Sequence, residues 1–148
     1  MGTVELSFVP RPAHVRTARQ VAVALARRAG LPDDVLDEVR LAVGEACGLA
    51  LSLQRQTRPD DPVVLVFDDS AGLTVDVRAS APLETATGDH AFGVLADAVP
   101  APAETAEELP VGAALAVLAE FAPTLEVTTS ELGMRLALGW PPVAVAHR

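Results

Sequence analysis

The spacing of the apolar residues changes from every second position to every third or fourth and back again, and this change limits the fold more than any other feature. Residues 4–8 alternate between apolar and polar, which predicts a short, half-buried strand. Two longer stretches place apolar residues three and four positions apart, which predicts amphipathic helices over about 15–29 and 33–56. Gly30 lies between them and predicts the end of the first helix.

The second half of the chain consists mainly of predicted hairpins. Short apolar runs predict four further strands, over residues 63–67, 73–78, 125–129 and 134–140. An Ala-rich apolar run predicts a third helix over 111–121. Residues 80–110 show no period and are rich in Ala, Pro, Thr and acidic residues, which predicts a long, lid-like loop. Trp140, on the last strand, is expected either in the core or at an edge-strand interface.

These elements predict the fold class. Strands joined mainly by hairpins form an antiparallel sheet, and helices with one apolar face must cover it. We therefore expect an α+β fold, a two-layer sandwich in which three helices lie on one face of a mainly antiparallel sheet of about five strands. The length of 148 residues suits a single domain, predicted over 1–142, with a loose tail at 143–148.

The charges are unevenly distributed along the chain. It carries 11 basic and 20 acidic residues, a net charge of −9, and residues 59–148 hold only three of the arginines but fourteen of the acids. Nucleic acid is therefore excluded as a predicted partner, because affinity for phosphates depends on basic side chains. Lys, Asn, Ile and Tyr are absent, which we attribute first to the codon bias of a GC-rich bacterial genome. Their absence also excludes sites that need a Lys amine or an Asn amide.

Cysteine and histidine are too few or too scattered for the usual metal sites. Cys47 is the one cysteine, which excludes an internal disulfide and a cysteine-based zinc site, and it is predicted to be a small core residue. His14, His90 and His147 are far apart in the sequence, so no metal site is predicted.

The sequence contains no predicted membrane or export signal. The N-terminus lacks the pattern of a signal peptide, and no apolar run approaches the length of a membrane span. We therefore expect a cytoplasmic protein without a membrane partner.

Segment 40–50 carries the most informative motif of the chain, Arg-Leu-Ala-Val-Gly-Glu-Ala-Cys-Gly-Leu-Ala. Together with the order of the elements, it resembles the helix motif of the GHKL ATPase superfamily, in particular that of the small anti-sigma-factor serine kinases, in which Glu-Ala-x-x-Asn-Ala is typical. The resemblance implies that Glu45 takes the position of the family's candidate general base, and that Leu49 takes the position of the Asn that binds the nucleotide's magnesium ion. Leu offers no oxygen, so Glu45 is predicted to be vestigial and Leu49 to fill the vacated space with apolar packing.

The family's second motif follows the strand over 73–78 and recognises adenine through an Asp, with glycines beside it. Here Ala79 and Ala81 take the positions of that Asp and of one glycine. An Ala side chain accepts no hydrogen bond from adenine, and Ala81 restricts the backbone. An alternative, in which Asp89 and Gly93 form a displaced copy of the motif, starts ten residues too late and does not follow a strand.

The third motif, a Gly-x-Gly-Leu that cradles phosphates at the start of a helix, reads Gly-Ala-Ala-Leu over 112–115, so one glycine is lost. The preceding loop contains no Lys or Arg and carries three glutamates, Glu104, Glu107 and Glu108, whose field repels a triphosphate. We therefore predict that the chain binds no ATP, magnesium or other cofactor. The degenerate nucleotide pocket would comprise Glu45, Leu49, Ala79, Ala81, Gly112, Ala114 and Leu115.

Without catalysis, the role that such a fold retains is the recognition of another protein. The resemblance implies that an Arg of the first helix contacts the partner. Arg19 matches that position, and Arg16 and Arg27 are further candidates on the same helix. The predicted partner is a sigma factor, an anti-anti-sigma domain or a related kinase-like chain. A solvated, non-functional Arg19 and a homodimer, which the family commonly forms, both remain open.

Three functions compete at this point. The first is a non-catalytic regulatory module resembling anti-sigma factors, which the damaged motifs favour. The second is an active or weakly active ATP-binding serine kinase that uses substitute residues. The third is a structural subunit that pairs with an intact paralogue.

Overall fold

Residues 2–80 and 111–143 are described by the computed structural model of the chain, and the predicted elements all lie within them. The strands are β1 (Thr3–Phe8), β2 (Val63–Asp68), β3 (Leu73–Ala79), β4 (Thr124–Ser130) and β5 (Gly133–Trp140). The helices are α1 (Ala13–Arg28), α2 (Asp33–Thr57) and α3 (Val111–Phe121). The predicted order is confirmed. Residues 81–110 of the predicted loop, including Ala81, and the tail after Val143 lie outside the described residues.

The five strands form one antiparallel sheet in the order β1-β2-β3-β5-β4. Its register places Leu6, Leu65, Val77, Leu136 and Val127 side by side in a row that crosses every strand. Because side chains alternate between the two faces of a strand, a slip of one residue would move each of them to the other face. The register therefore gives the sheet one continuous apolar face.

The three helices cover this apolar face, as the periodicity predicted. α2 lies between α1 and α3 and packs against both. Its apolar stripe is buried along its length, from Leu36 to Leu53. The core therefore lies between the sheet and the helix layer, and the outer sides of α1 and α2 face solvent.

The turn between α1 and α2 reverses the chain within a few residues. Gly30 has φ +85°, a conformation that favours glycine. The N–H of Leu31 donates to the carbonyl of Ala26 at 3.1 Å, and the N–H of Gly30 donates to the carbonyl of Arg27 at 3.0 Å, which is a Schellman arrangement. The predicted helix end at Gly30 is confirmed, and the short turn sets α1 and α2 side by side.

Trp140 and Cys47 both belong to the core. Trp140 is 2% exposed, and its Nε1–H donates to the carbonyl of Phe121 at 3.1 Å, which satisfies one of the free carbonyls at the end of α3. Because β5 lies between β3 and β4, the alternative that placed Trp140 at an edge strand is wrong. Cys47 is fully buried, and burial raises the pKa of its thiol to about 12, so the thiol stays protonated at neutral pH.

An ion pair that the sequence did not predict fixes the β2–β3 hairpin to α1. The side chain of Asp69, in the hairpin turn, is 1% exposed and accepts a hydrogen bond from the Nε–H of Arg28. Asp69 also accepts a hydrogen bond from the N–H of Gly2 at 2.9 Å. The Arg28 guanidinium holds the pKa of the Asp69 carboxyl well below its usual range. One carboxylate thus connects α1, the hairpin and the start of the chain.

Candidate functional site

α1 and α2 form a groove on the solvent side of the helix layer, which we call the arginine groove. Its volume is about 380 Å³. It is lined by Arg16, Arg19, Gln20, Val23, Ala24 and Arg27 of α1 and by Arg40 of α2. The α1 residues recur at intervals of three and four, so they lie on one side of the helix. The structure therefore brings the three predicted partner-binding arginines together in one place.

Most of the positive charge of the arginine groove is not neutralised within the described part of the chain. Arg40 pairs with Asp37, one turn earlier on α2, at 2.9 Å. Arg16, Arg19 and Arg27 are exposed, and none of them forms an ion pair with a residue in 2–80 or 111–143. In a chain of net charge −9, the groove is a local concentration of free positive charge.

Arg19 crosses α2 at Gly44. A Cβ atom built on Gly44 would lie 3.1 Å from Nε and 3.3 Å from Cδ of Arg19, so a side chain at position 44 would require Arg19 to shift by a few tenths of an ångström. Gly is disfavoured in a helix interior by roughly 0.5–1 kcal/mol relative to Ala. The close approach of Arg19 is a structural reason for having glycine at position 44.

Glu45 follows Gly44 on α2 and is half-buried. Burial raises the pKa of its carboxyl, and the positive charge of Arg19 acts in the opposite direction. Arg19 and Glu45 form no direct ion pair, so the interaction is a longer-range attraction across the surface of α2. Glu45, the predicted vestige of a general base, is therefore electrostatically connected to the arginine groove.

Leu49 and Ala79 are both buried. Leu49 follows Glu45 by one turn of α2, is 6% exposed and belongs to the apolar core. Ala79 is the last residue of β3 and is also 6% exposed. Neither side chain has an atom that could bind a metal ion or accept a hydrogen bond from adenine. The sequence predicts that Leu49 fills the pocket with apolar packing, and its burial is consistent with that prediction.

The start of α3 completes the described part of the predicted pocket. Gly112 is half-exposed, whereas Ala114 and Leu115 are buried and face the core. The loop with its three glutamates lies outside the described residues. Within 2–80 and 111–143, no group of three His, Cys, Asp or Glu residues could hold a metal ion.

A buried polar network at the end of α2 escaped the sequence analysis. Gln54 is fully buried and donates from Nε2 to the Oγ of Ser80 at 2.7 Å and to the carbonyl of Asp61 at 3.3 Å. The Ser80 hydroxyl donates to the Oδ2 of Asp61 at 2.9 Å. The network fixes the end of β3, and with it Ala79, to the last turns of α2. The one sequence signal was a Gln on the buried side of α2, four residues after Ala50.

The strand order, the helix layer on one face and the central position of α2 define a two-layer sandwich of the ATPase type. The family model for the histidine kinase-like ATPase domain matches residues 8–140, and the chain belongs to this family. The predicted GHKL-type superfamily is thereby confirmed. No curated protein matches the chain. In the described residues, no helix is both long and apolar enough to cross a membrane.

Proposed function

We propose that the chain is a non-catalytic regulatory module resembling anti-sigma factors, which holds a protein partner at the arginine groove. The partner is a sigma factor, an anti-anti-sigma domain or a related kinase-like chain. The observation that carries this proposal is the convergence of Arg16, Arg19 and Arg27, unpaired within the described residues, in a single groove.

The chemistry of the groove supports a protein partner with carboxylates on its surface. Arg side chains present a planar fork that binds carboxylates through two parallel hydrogen bonds, and they are enriched among interface anchors. Ala24 lies between the arginines, is exposed and adds apolar contact area, whereas Val23 is buried at the base of the groove. An acidic partner would meet a complementary surface here, although the chain as a whole is strongly acidic.

The buried, apolar character of Leu49 and Ala79 supports the non-catalytic part of the proposal. A catalytic member of the family needs a metal-bound nucleotide before a general base can act. Glu45 keeps its carboxyl, but the side chains at positions 49 and 79 offer neither a metal ligand nor a hydrogen-bond acceptor.

Charge reversal at Arg19 tests the proposal. The partner is first identified by affinity purification with the wild-type chain from the native host and mass spectrometry, and binding is then measured with the purified partner. We expect Arg19→Glu to weaken binding by about tenfold or more, because a central anchor is replaced by a repelling charge.

The matched control is Arg78→Glu. Arg78 is about as exposed as the groove arginines but lies on the outer face of the sheet, where it pairs with Asp76 at 3.2 Å. The same charge reversal there should leave partner binding unchanged. Equal affinities for the wild-type chain and Arg19→Glu would remove the arginine groove from the binding site.

A further inference from the structure

Two glycines, Gly44 and Gly48, lie one turn apart on α2 and differ in their surroundings within the described residues. Around Gly48, a Cβ atom would meet no atom of residues 2–80 or 111–143 within 4 Å. Around Gly44, it would meet three atoms of one side chain, Nε, Cδ and Cζ of Arg19, at 3.1, 3.3 and 3.6 Å. The absent side chain at position 44 therefore leaves room for a specific contact with Arg19, and position 48 shows no such contact among the described residues.

Glu45 is the next residue of α2 after Gly44. It is half-buried, and Arg19 is the charged residue whose field acts on its carboxyl. The Arg19 side chain therefore starts on α1 in the arginine groove, passes over the bare backbone at Gly44 and ends under the influence of an acidic residue of α2. Arg16 and Arg27 line the same groove, but the atoms nearest to a Cβ at Gly44 all belong to Arg19.

We infer that Gly44 and Glu45 are positioning residues that form a seat for Arg19, with Gly44 leaving the path for its side chain and Glu45 supplying the attracting charge. The inference rests on the proposed function for the role of Arg19 in partner binding. A free arginine loses rotamer freedom when it binds, and an arginine already held in one direction loses less. In a chain that lacks the metal-binding Asn, Glu45 would therefore have the role of positioning Arg19.

The experiment compares equal substitutions at the two glycines. Gly44→Ala forces Arg19 to move by a few tenths of an ångström, and Gly44→Leu excludes its side chain from the path. Gly48→Ala and Gly48→Leu make the same chemical changes on the same helix, at a position where no described residue lies within 4 Å of the new Cβ atom. The Nε–H resonance of Arg19 and the titration of the Glu45 carboxyl are followed by NMR on the isolated full-length chain, so that no partner is needed.

We expect Gly44→Leu to shift the Arg19 resonance and to raise the titration midpoint of Glu45, since the charge that lowers it has moved away. Gly44→Ala should cause the same changes to a smaller extent, which keeps the test valid if the Leu variant folds poorly. Both Gly48 variants should match the wild type. Equal spectra and equal midpoints in the Gly44 and Gly48 variants would overturn the inference.

Partner binding then separates the inference from the proposed function. If Arg19→Glu weakens binding, we expect Gly44→Leu to weaken it as well. Its loss of affinity should lie between roughly one tenth of the Arg19→Glu loss and the full loss, and Gly48→Leu should leave the affinity unchanged. A loss of binding in Arg19→Glu with full binding in Gly44→Leu would overturn the seat while leaving the groove intact. Unchanged binding in Arg19→Glu would contradict the proposed function, and the NMR comparison would still decide whether the seat exists.

Discussion

At the scale of single residues, the proposed loss of nucleotide binding depends on Leu49 and Ala79. By resemblance, they take the positions of a magnesium-binding Asn and an adenine-binding Asp. Both are 6% exposed, so each contributes to the apolar packing of α2 against the sheet. If the correspondence is right, the side chains that replace the two ligands also fill space in the core, and restoring the ligands would disturb the packing there.

The double variant Leu49→Asn with Ala79→Asp tests this correspondence. We expect no micromolar binding of Mg-ATP by the wild-type chain and a measurable gain in the double variant, because both missing polar groups return. Leu49→Asn should also cost about 2–4 kcal/mol of stability, since it replaces a buried apolar side chain with an amide. Isothermal titration calorimetry and urea unfolding measure the two effects. Micromolar binding by the wild type would favour the kinase alternative, and no gain in the variant would place the pocket elsewhere.

The burial of polar residues was the hardest feature to predict. In the sequence, Asp69 is one of several polar residues in a hairpin loop, and Gln54 is a residue near the end of a helix. Their burial depends on Arg28 and on Ser80, which are 41 and 26 positions away in the chain. Local periodicity contains no information about such distant pairs. By contrast, Arg16, Arg19 and Arg27 could be placed on one helix from the sequence, because the apolar period that predicts the helix is local.

At the scale of the elements, the period of the apolar residues specified the helices and strands closely. The hairpins β2–β3 and β4–β5 followed from short turns between alternating strands. The pairings of β1 with β2 and of β3 with β5 did not, because they join segments far apart in the sequence. The arginine groove depends on one local feature, the turn at Gly30, which sets α1 beside α2.

Replacing Gly30 tests the importance of this turn. At φ +85°, Gly30→Ala should destabilise the fold by about 1–2 kcal/mol, because a side chain disfavours the left-handed conformation. Gly48→Ala is the matched control, since Gly48 is helical and has open space around it, and we expect it to stabilise the fold by about 0.5–1 kcal/mol. Thermal unfolding of both variants measures the difference. A similar loss of stability in both variants would show that the turn conformation is not the cause of the loss in Gly30→Ala.

At the scale of the whole molecule, the ion pair between the buried Asp69 and the half-exposed Arg28 joins segments that are far apart in the sequence. It connects the end of α1, the β2–β3 hairpin and, through Gly2, the beginning of β1. Its loss should therefore affect the unfolding of the molecule as one cooperative unit. Because Arg28 holds the Asp69 pKa down in the folded state, the carboxylate stabilises the fold wherever it is ionised.

Asp69→Asn should lower the stability at pH 7, and the difference from the wild type should depend on pH in a defined direction. The contribution of Asp69 is fully present above the pKa of about 4 that an aspartate has in the unfolded chain. It is lost as the pH falls from there toward the depressed pKa of the folded state. The two proteins should therefore differ most at neutral pH and approach each other at pH 3 and below, as measured by urea unfolding.

Asp37→Asn is the control for this pH dependence, because it removes a carboxylate that also pairs with an arginine but is 73% exposed. An exposed pair of this kind contributes little to stability, since water and salt screen it. We expect its unfolding midpoint to stay close to that of the wild type at every pH. If Asp69→Asn and Asp37→Asn behaved alike, burial would not be the reason that Asp69 stabilises the fold, and the link between α1 and the hairpin would have to lie in apolar packing alone.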